Sequence, residues 1–148
     1  MNNVSVNIHG IRLNAPANWL FAPGEHGILA RRETRGGVFR MICQPNGPLN
    51  GNGEAGYWEK AVAIFNMPAV KEPFQQKRPM SGTRQLHGVS YGFEAKGSVF
   101  MGRLWYLSEP ESTLYAAYVC NWSRRDESLI REEVVECERM MLSARLPQ

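Results

Sequence analysis

The stretch VSYGFEAKGSVFMGRLWYLSEPESTLYAAYVCNW, residues 89–122, decides the fold of this chain. It divides into three runs, 89–95, 98–107 and 112–122, parted by Lys96-Gly97 and Glu109-Pro110. Runs of aromatic and β-branched residues joined by tight turns read as an antiparallel meander. Closing the first turn on Lys96-Gly97 sets Phe93 opposite Phe100, Tyr91 opposite Gly102 and Val89 opposite Leu104. Closing the second on Glu109-Pro110 adds Tyr115 opposite Leu104 and Val119 opposite Phe100. That face is apolar throughout and belongs to a core. The opposite face carries Gly88, Ser90 and Gly92 on the first strand, beside Met101, Arg103 and Trp105, with Leu114, Ala116 and Tyr118 beyond. A strip of very small residues flanked by large ones is itself largely apolar, so something must cover it.

Working toward the N-terminus, His9-Gly10 separates Val4, Val6 and Ile8 from Ile11, Leu13 and Ala15. A two-residue loop there places all six on one face. Pro16, Trp19, Pro23 and Gly24 mark a loop. A second hairpin turns at Gly36-Gly37, where positive φ favours glycine. Its register pairs Phe39 with Thr34, Met41 with Arg32 and Cys43 with Ala30, with Arg40 opposite Glu33 on a wet face. The Gly/Asn-rich loop from Gln44 to Gly53 leads into a helix from about Glu54, with Tyr57, Ala61, Ile64 and Phe65 on one side. Pro68 disfavours helix at Met67 and ends it, and residues 69–80 form a polar connection. Toward the C-terminus a long helix is expected from about Asp126 to Arg145, capped by Ser123 or Asp126. Leu129, Ile130, Val134, Cys137, Met141 and Leu142 form its apolar stripe. Glu132, Glu133, Glu136 and Glu138, with Arg139, read as a solvated face. The fold class is therefore α+β: an antiparallel sheet of six to eight strands flanked by two helices, in one domain over residues 1–148.

Composition bounds the rest. A chain of 148 residues with 43% hydrophobic and 21% charged residues is ordinary globular material. No apolar run reaches the ~20 residues of a membrane span, and the N-terminus has no secretory pattern, so a cytoplasmic location is expected. Cys43, Cys120 and Cys137 are widely spaced and odd in number, which fits a reducing compartment and small hydrophobes rather than a disulfide framework. The net charge of +3, with Arg31, Arg32, Arg35 and Arg40 concentrated on one hairpin, is too small to imply nucleic acid. Trp105 beside Arg103 could stack on single-stranded bases, but no broad basic field accompanies them.

Two famous patterns appear, and neither has its required setting. Gly51-Asn52-Gly53-Glu54-Ala55-Gly56 spells G-x-G-x-x-G, which binds a dinucleotide only between a parallel strand and its crossover helix. Gly88-Val89-Ser90-Tyr91-Gly92 spells the nucleophile elbow G-x-S-x-G, which needs a strand-to-helix turn and a later histidine. Here the pattern lies within a strand, and His9, His26 and His87 all precede Ser90. The isolated histidines offer no metal-ligand spacing. No catalytic residue, metal or cofactor is expected.

The element order, together with Ala15-Pro16-Ala17-Asn18-Trp19 and the terminal Met141-Leu142-Ser143-Ala144-Arg145-Leu146, resembles the PsbP-like superfamily. That group includes DcrB-type bacterial proteins, a Ran-binding nuclear import regulator and the Eag chaperones of type VI secretion. The resemblance implies an antiparallel sheet flanked by helices, and a binding or chaperone role rather than catalysis. DcrB-type members are exported lipoproteins, so the lack of a signal or lipobox here points to the cytoplasmic, chaperone-like branch. The expectation is a non-enzymatic protein-binding module that forms a homodimer. Its partner face would be formed by Gly88, Ser90, Gly92, Met101, Arg103, Trp105 and Tyr118, unless a helix of the same chain fills it. The rival readings are a small-ligand-binding protein and an enzyme of unrecognised type. An enzyme would show a pocket with convergent polar groups and perturbed titration, whereas a partner-binding module would show a broad exposed apolar patch.

Overall fold

The computed structural model describes residues 3–24, 27–33, 36–46, 53–66, 74–79 and 85–147. Its strands are β1 (Asn3–Ile8), β2 (Ile11–Pro16), β3 (Trp19–Pro23), β4 (Ile28–Arg32), β5 (Val38–Pro45), β6 (Phe74–Pro79), β7 (Gln85–Ala95), β8 (Ser98–Ser108) and β9 (Ser112–Asn121). Helix α1 (Gly53–Ile64) lies between β5 and β6, and α2 (Ser128–Ser143) follows a 3₁₀ turn over Trp122–Arg124. Seven strands form one antiparallel sheet in the order β3-β4-β5-β9-β8-β7-β6, and β1 and β2 form a separate hairpin. This is the expected α+β architecture.

The sheet has a core on each side because its central strands are apolar on both faces. On one side α1 contributes Ala61 and Phe65 to a cluster with Val89, Tyr91, Leu104, Tyr106, Tyr115 and Ala117. On the other, α2 and the β1–β2 hairpin pack Ile130, Cys137, Met140, Ile11 and Leu13 against Phe39, Trp105 and Tyr118. Residues 9–10 and 96–97 take φ of 53° and 79°, and 51° and 79°. Two consecutive positive φ values are what two-residue hairpin turns require. Both registers follow as read, with Val6 opposite Leu13 and Tyr91 opposite Gly102.

Other readings shift. β8 and β9 pair Leu104 with Ala117 and Tyr106 with Tyr115, two residues from the expected register. The connection is wider because Asn46 is wedged into it, donating from Nδ2 to the Glu109 carbonyl at 2.6 Å and accepting from Thr113 Oγ1 at 2.6 Å. An even slip keeps every side chain on its face, so the core assignment survives. β4 and β5 slip by four, pairing Ala30 with Phe39 and Ile28 with Met41. Thr34 and Arg35 of the expected hairpin lie outside the described residues. Arg31 and Arg32 pair instead with β3, a strand where a loop was expected. β6 likewise occupies part of the expected connection 69–80, the rest of which lies outside the described residues, as do Met67 and Pro68. α2 begins at Ser128, after Glu127 in extended conformation, rather than at Asp126.

Gly37 does not adopt the positive φ expected of it; among the described glycines that conformation belongs to Gly10 and Gly97. Its constraint is proximity. A Cβ there would stand 2.5 Å from Tyr118 Cζ and 2.6 Å from the Val119 carbonyl oxygen. The Gly37 amide donates to Glu133 Oε1 at 2.9 Å, which ties the start of β5 to α2. Gly37→Val is expected to cost ~1–3 kcal/mol by overpacking, read from the shift of a urea unfolding midpoint.

Candidate functional site

The expected partner face is where α2 lies. Trp105 and Tyr118 are fully buried, and Arg103 is buried with them. The Trp105 ring meets Phe39 edge-on with centroids 5.8 Å apart, and Phe39 meets Trp19 at 6.3 Å. The small residues make room for the chain itself. A Cβ on Gly88 would stand 3.0 Å from Trp105 Cδ1 and 3.1 Å from Arg103 Nη2. One on Gly92 would stand 2.7 Å from the ring of Trp122. Ser90 Oγ accepts from Arg103 Nη1 at 2.7 Å, and Met101 is half-buried at the rim of this core. The groove read from the sequence is thus closed by the chain's own helix. With α2 docked, Trp105, Arg103 and Tyr118 are closed to a partner.

What holds α2 there is a set of carboxylates expected, from sequence, to face solvent. Glu133, Glu136 and Glu138 are buried, which corrects the solvated-face reading. Glu133 Oε1 accepts from the Tyr118 hydroxyl at 2.9 Å as well as from Gly37. Burial first, and then the Glu133 charge and hydrogen bond, push the Tyr118 pKa well above its ordinary value. Glu136 Oε2 accepts from Trp19 Nε1 at 3.0 Å, and Arg32 Nη1 faces Glu136 Oε1 at 3.1 Å. Glu138 pairs with Arg103 at 3.3 Å. With its amide turned to face Arg32, Asn18 accepts from Nε at 3.1 Å. At the far end of α2, Ser143 Oγ accepts from the Asn14 amide at 2.9 Å, and Arg12 and Arg145 form a β-bridge. The two short motifs behind the family resemblance therefore sit at the two anchorages of α2. A signal for the missed acids was available: Glu133 stands three residues after Ile130 and four before Cys137, inside the apolar stripe. Arg32 and Arg103, on strand faces read as inward, also required partners.

The patterns without their setting stay without it. Ser90 and His87, three residues apart on β7, point to opposite faces: Ser90 meets Arg103, whereas His87 stacks on Tyr106 at 4.6 Å. Gly51, Asn52 and His26 lie outside the described residues. Gly53 opens α1, but both neighbours of β5 are antiparallel to it, so no adjacent parallel strand completes a dinucleotide-binding turn. Cys120 and Cys137 are buried and Cys43 partly so. Burial raises all three thiol pKa values, Cys120 to about 11, so these thiols are packing groups. Among the described residues no His/Cys/Asp/Glu group could hold a metal, and no helix is long and apolar enough to cross a membrane.

The exposed apolar surface lies on the other side of the sheet. α1 covers β7, β8 and β9 but leaves β3, β4 and the start of β5 open. Leu20 is 48%, Leu29 40% and Val38 41% exposed. Their neighbours Trp19, Ile28 and Phe39 point to the α2 side, and on the open face Arg31 stands opposite Leu20. Ala22 stands opposite Leu29, and Leu29 opposite Arg40. Val38 stands opposite half-buried Val119. Where this patch meets the end of α1, a cavity of about 310 Å³ is lined by Leu29, Arg40, Ile42, Ile64 and Phe65. β3 is the outer strand of the sheet, and its short length and Pro23 limit continued pairing.

These layers and this strand order define a PsbP-like fold. Among solved structures, cyanobacterial PsbP from Synechocystis aligns over 97% of this chain and 92% of its own, at TM-score 0.59 and 9% identity. LpqN of Mycobacterium tuberculosis, described as involved in cell envelope biogenesis, aligns over 91% and 87%, at TM-score 0.57 and 13% identity. A Bacteroides thetaiotaomicron protein aligns over 93% of this chain at TM-score 0.59 and 14% identity, and this chain spans only 45% of that protein's length. No family model and no curated protein matches the sequence. At these identities the likeness is one of fold.

Proposed function

We propose that the protein is a non-enzymatic protein-binding module that receives an apolar segment of a partner on the open half of its sheet. The observation that carries this is the run of Leu20, Leu29 and Val38 at 40–48% exposure on adjacent strands, ending at an edge strand. Exposed apolar side chains grouped on one face mark an interaction surface, and here Arg31 opposite Leu20 and Arg40 opposite Leu29 stand among them. The partner segment would lie across the face over Leu20 and Leu29 rather than add as a further strand, since β3 is short and ends in Pro23. The face expected from the sequence, from Gly88 to Tyr118, serves in this reading as the rigid support beneath. The finer reading is a cytoplasmic chaperone or adaptor of the type VI secretion branch, acting as a homodimer. Its support is the resemblance carried by residues 15–19 and 141–146 and the element order.

The test is co-expression of the tagged chain with the products of its neighbouring genes. The wild type should retain one of them, a secreted effector if the chaperone reading holds. Leu20→Glu/Leu29→Glu should lose it while melting at the wild-type temperature, because both side chains are already largely exposed. Equal retention by the variant, or no retention by the wild type, would sink the proposal. Sedimentation velocity on the same pair tests the homodimer.

A further inference from the structure

Arg40 departs from the way this chain treats its other arginines. Among the residues whose side chains are described, every other arginine that is even partly buried faces a carboxylate: Arg32 faces Glu136, Arg103 Glu138, Arg124 Glu127 and Arg125 Asp126. Arg40 is half-buried on β5 and has no carboxylate partner among those residues. Its guanidinium carbon lies 5.3 Å from the centroid of the Phe65 ring. Burial depresses its pKa, and the nearby Tyr91 hydroxyl acts in the opposite sense. A cation partly withdrawn from water without a counter-ion costs free energy, and an aromatic face recovers only part of it.

The space beside that cation is shaped. Gly24 and Gly27, joined by a hydrogen bond from the Gly24 amide to the Gly27 carbonyl at 2.6 Å, line one edge of it. The cavity of about 310 Å³ has Leu29, Ile42, Ile64 and Phe65 as walls. Its volume stands at the lower end of the range for small-molecule sites, near ~300 Å³, and such sites combine apolar walls with a few polar groups that set orientation. A planar guanidinium is suited to a carboxylate, which it can hold through two parallel hydrogen bonds.

We propose that this cavity binds an aliphatic monocarboxylate, with its carboxylate on Arg40 and its chain along Leu29, Ile42, Ile64 and Phe65. The inference goes beyond the partner-binding reading and needs no protein partner. A spherical anion would satisfy the charge and leave the walls empty. A neutral alcohol of equal length would fill the walls and leave the cation unpaired.

The experiment is isothermal titration of the whole chain with octanoate, octanol and inorganic phosphate, on the wild type and on Arg40→Gln and Arg40→Lys. Octanoate should bind the wild type about tenfold or more tightly than either control, the factor expected of one charge-assisted contact. Arg40→Gln should lose that advantage and melt no lower than wild type, since it removes a cation with no carboxylate partner among the described residues. Arg40→Lys, which keeps the charge without the planar fork, should fall between them. Octanol binding as tightly as octanoate would reduce the site to an apolar patch, and phosphate binding as tightly would reduce it to a stray charge. Either result, or no octanoate binding, overturns the inference. The three ligands are compared on unaltered protein, so that comparison is decisive even if a variant fails to fold.

Discussion

Trp105→Ala is expected to lower the free energy of unfolding by about 3–5 kcal/mol, the range for truncating a large buried aromatic. Its indole is fully buried at the centre of the α2-side core. Phe39 meets the ring edge-on at 5.8 Å, and the Arg103 guanidinium carbon lies 5.2 Å from its centroid. Collapse into the vacated space is opposed from both sides, because the sheet below is hydrogen-bonded and α2 above is pinned by its buried glutamates. The N–H of Trp105 has no acceptor among the described residues. Trp105→Phe, which removes that donor and keeps most of the packing, should therefore be far milder than the alanine variant. Urea titrations of both variants measure this. A loss of about 1 kcal/mol or less for alanine, the size of a typical point substitution, would mean that α2 does not seal this face. The expectation of a partner groove from Gly88 to Tyr118 would then return.

The second large effect is electrostatic. Glu136→Leu should cost ~3–5 kcal/mol, the range for breaking a buried pair, since the carboxylate then left to Arg32 among the described residues is the half-exposed Glu132 at 3.7 Å. Arg32 and Glu136 are each only 8% exposed at the side chain. The same change deprives the Trp19 N–H of its acceptor. Replacing both charges, as Arg32→Met/Glu136→Leu, should restore much of the loss, since a buried pair is often no more stabilising than apolar residues of similar volume. The double-mutant cycle is the measurement. Additive single and double variants would show that the two groups do not interact. Salt should change the wild-type stability little through this pair, because buried charges are poorly screened.

The second face of the meander shows why the sequence was informative up to a point. Alternation along residues 89–122 assigned each side chain to a face, and an error of two residues in the β8–β9 register or four in β4–β5 left those assignments intact. Where a turn is made by the loop's own residues, as at His9-Gly10 and Lys96-Gly97, the register could be read outright. Where a distant side chain makes it, as Asn46 does for residues 109–112, it could not. β3 was hidden because Pro16, Pro23 and Gly24 resemble loop punctuation, and an outer strand tolerates proline at its end.

Local sequence by itself determined the α+β class, the two helices, the tight turns at His9-Gly10 and Lys96-Gly97, and the lack of a setting for the G-x-S-x-G pattern. Each follows from periodicity or backbone sterics within a few residues. Only the tertiary structure decided which apolar face is closed and which is left open. Both faces of the central strands read alike, and the choice was made by α2, whose position depends on Glu133, Glu136 and Glu138 meeting Tyr118, Arg32 and Arg103. A glutamate's environment is set by what lies opposite it, and those partners stand between 15 and 104 residues away along the chain. Covering one face with α2 and only part of the other with α1 is what leaves Leu20, Leu29 and Arg40 at the surface.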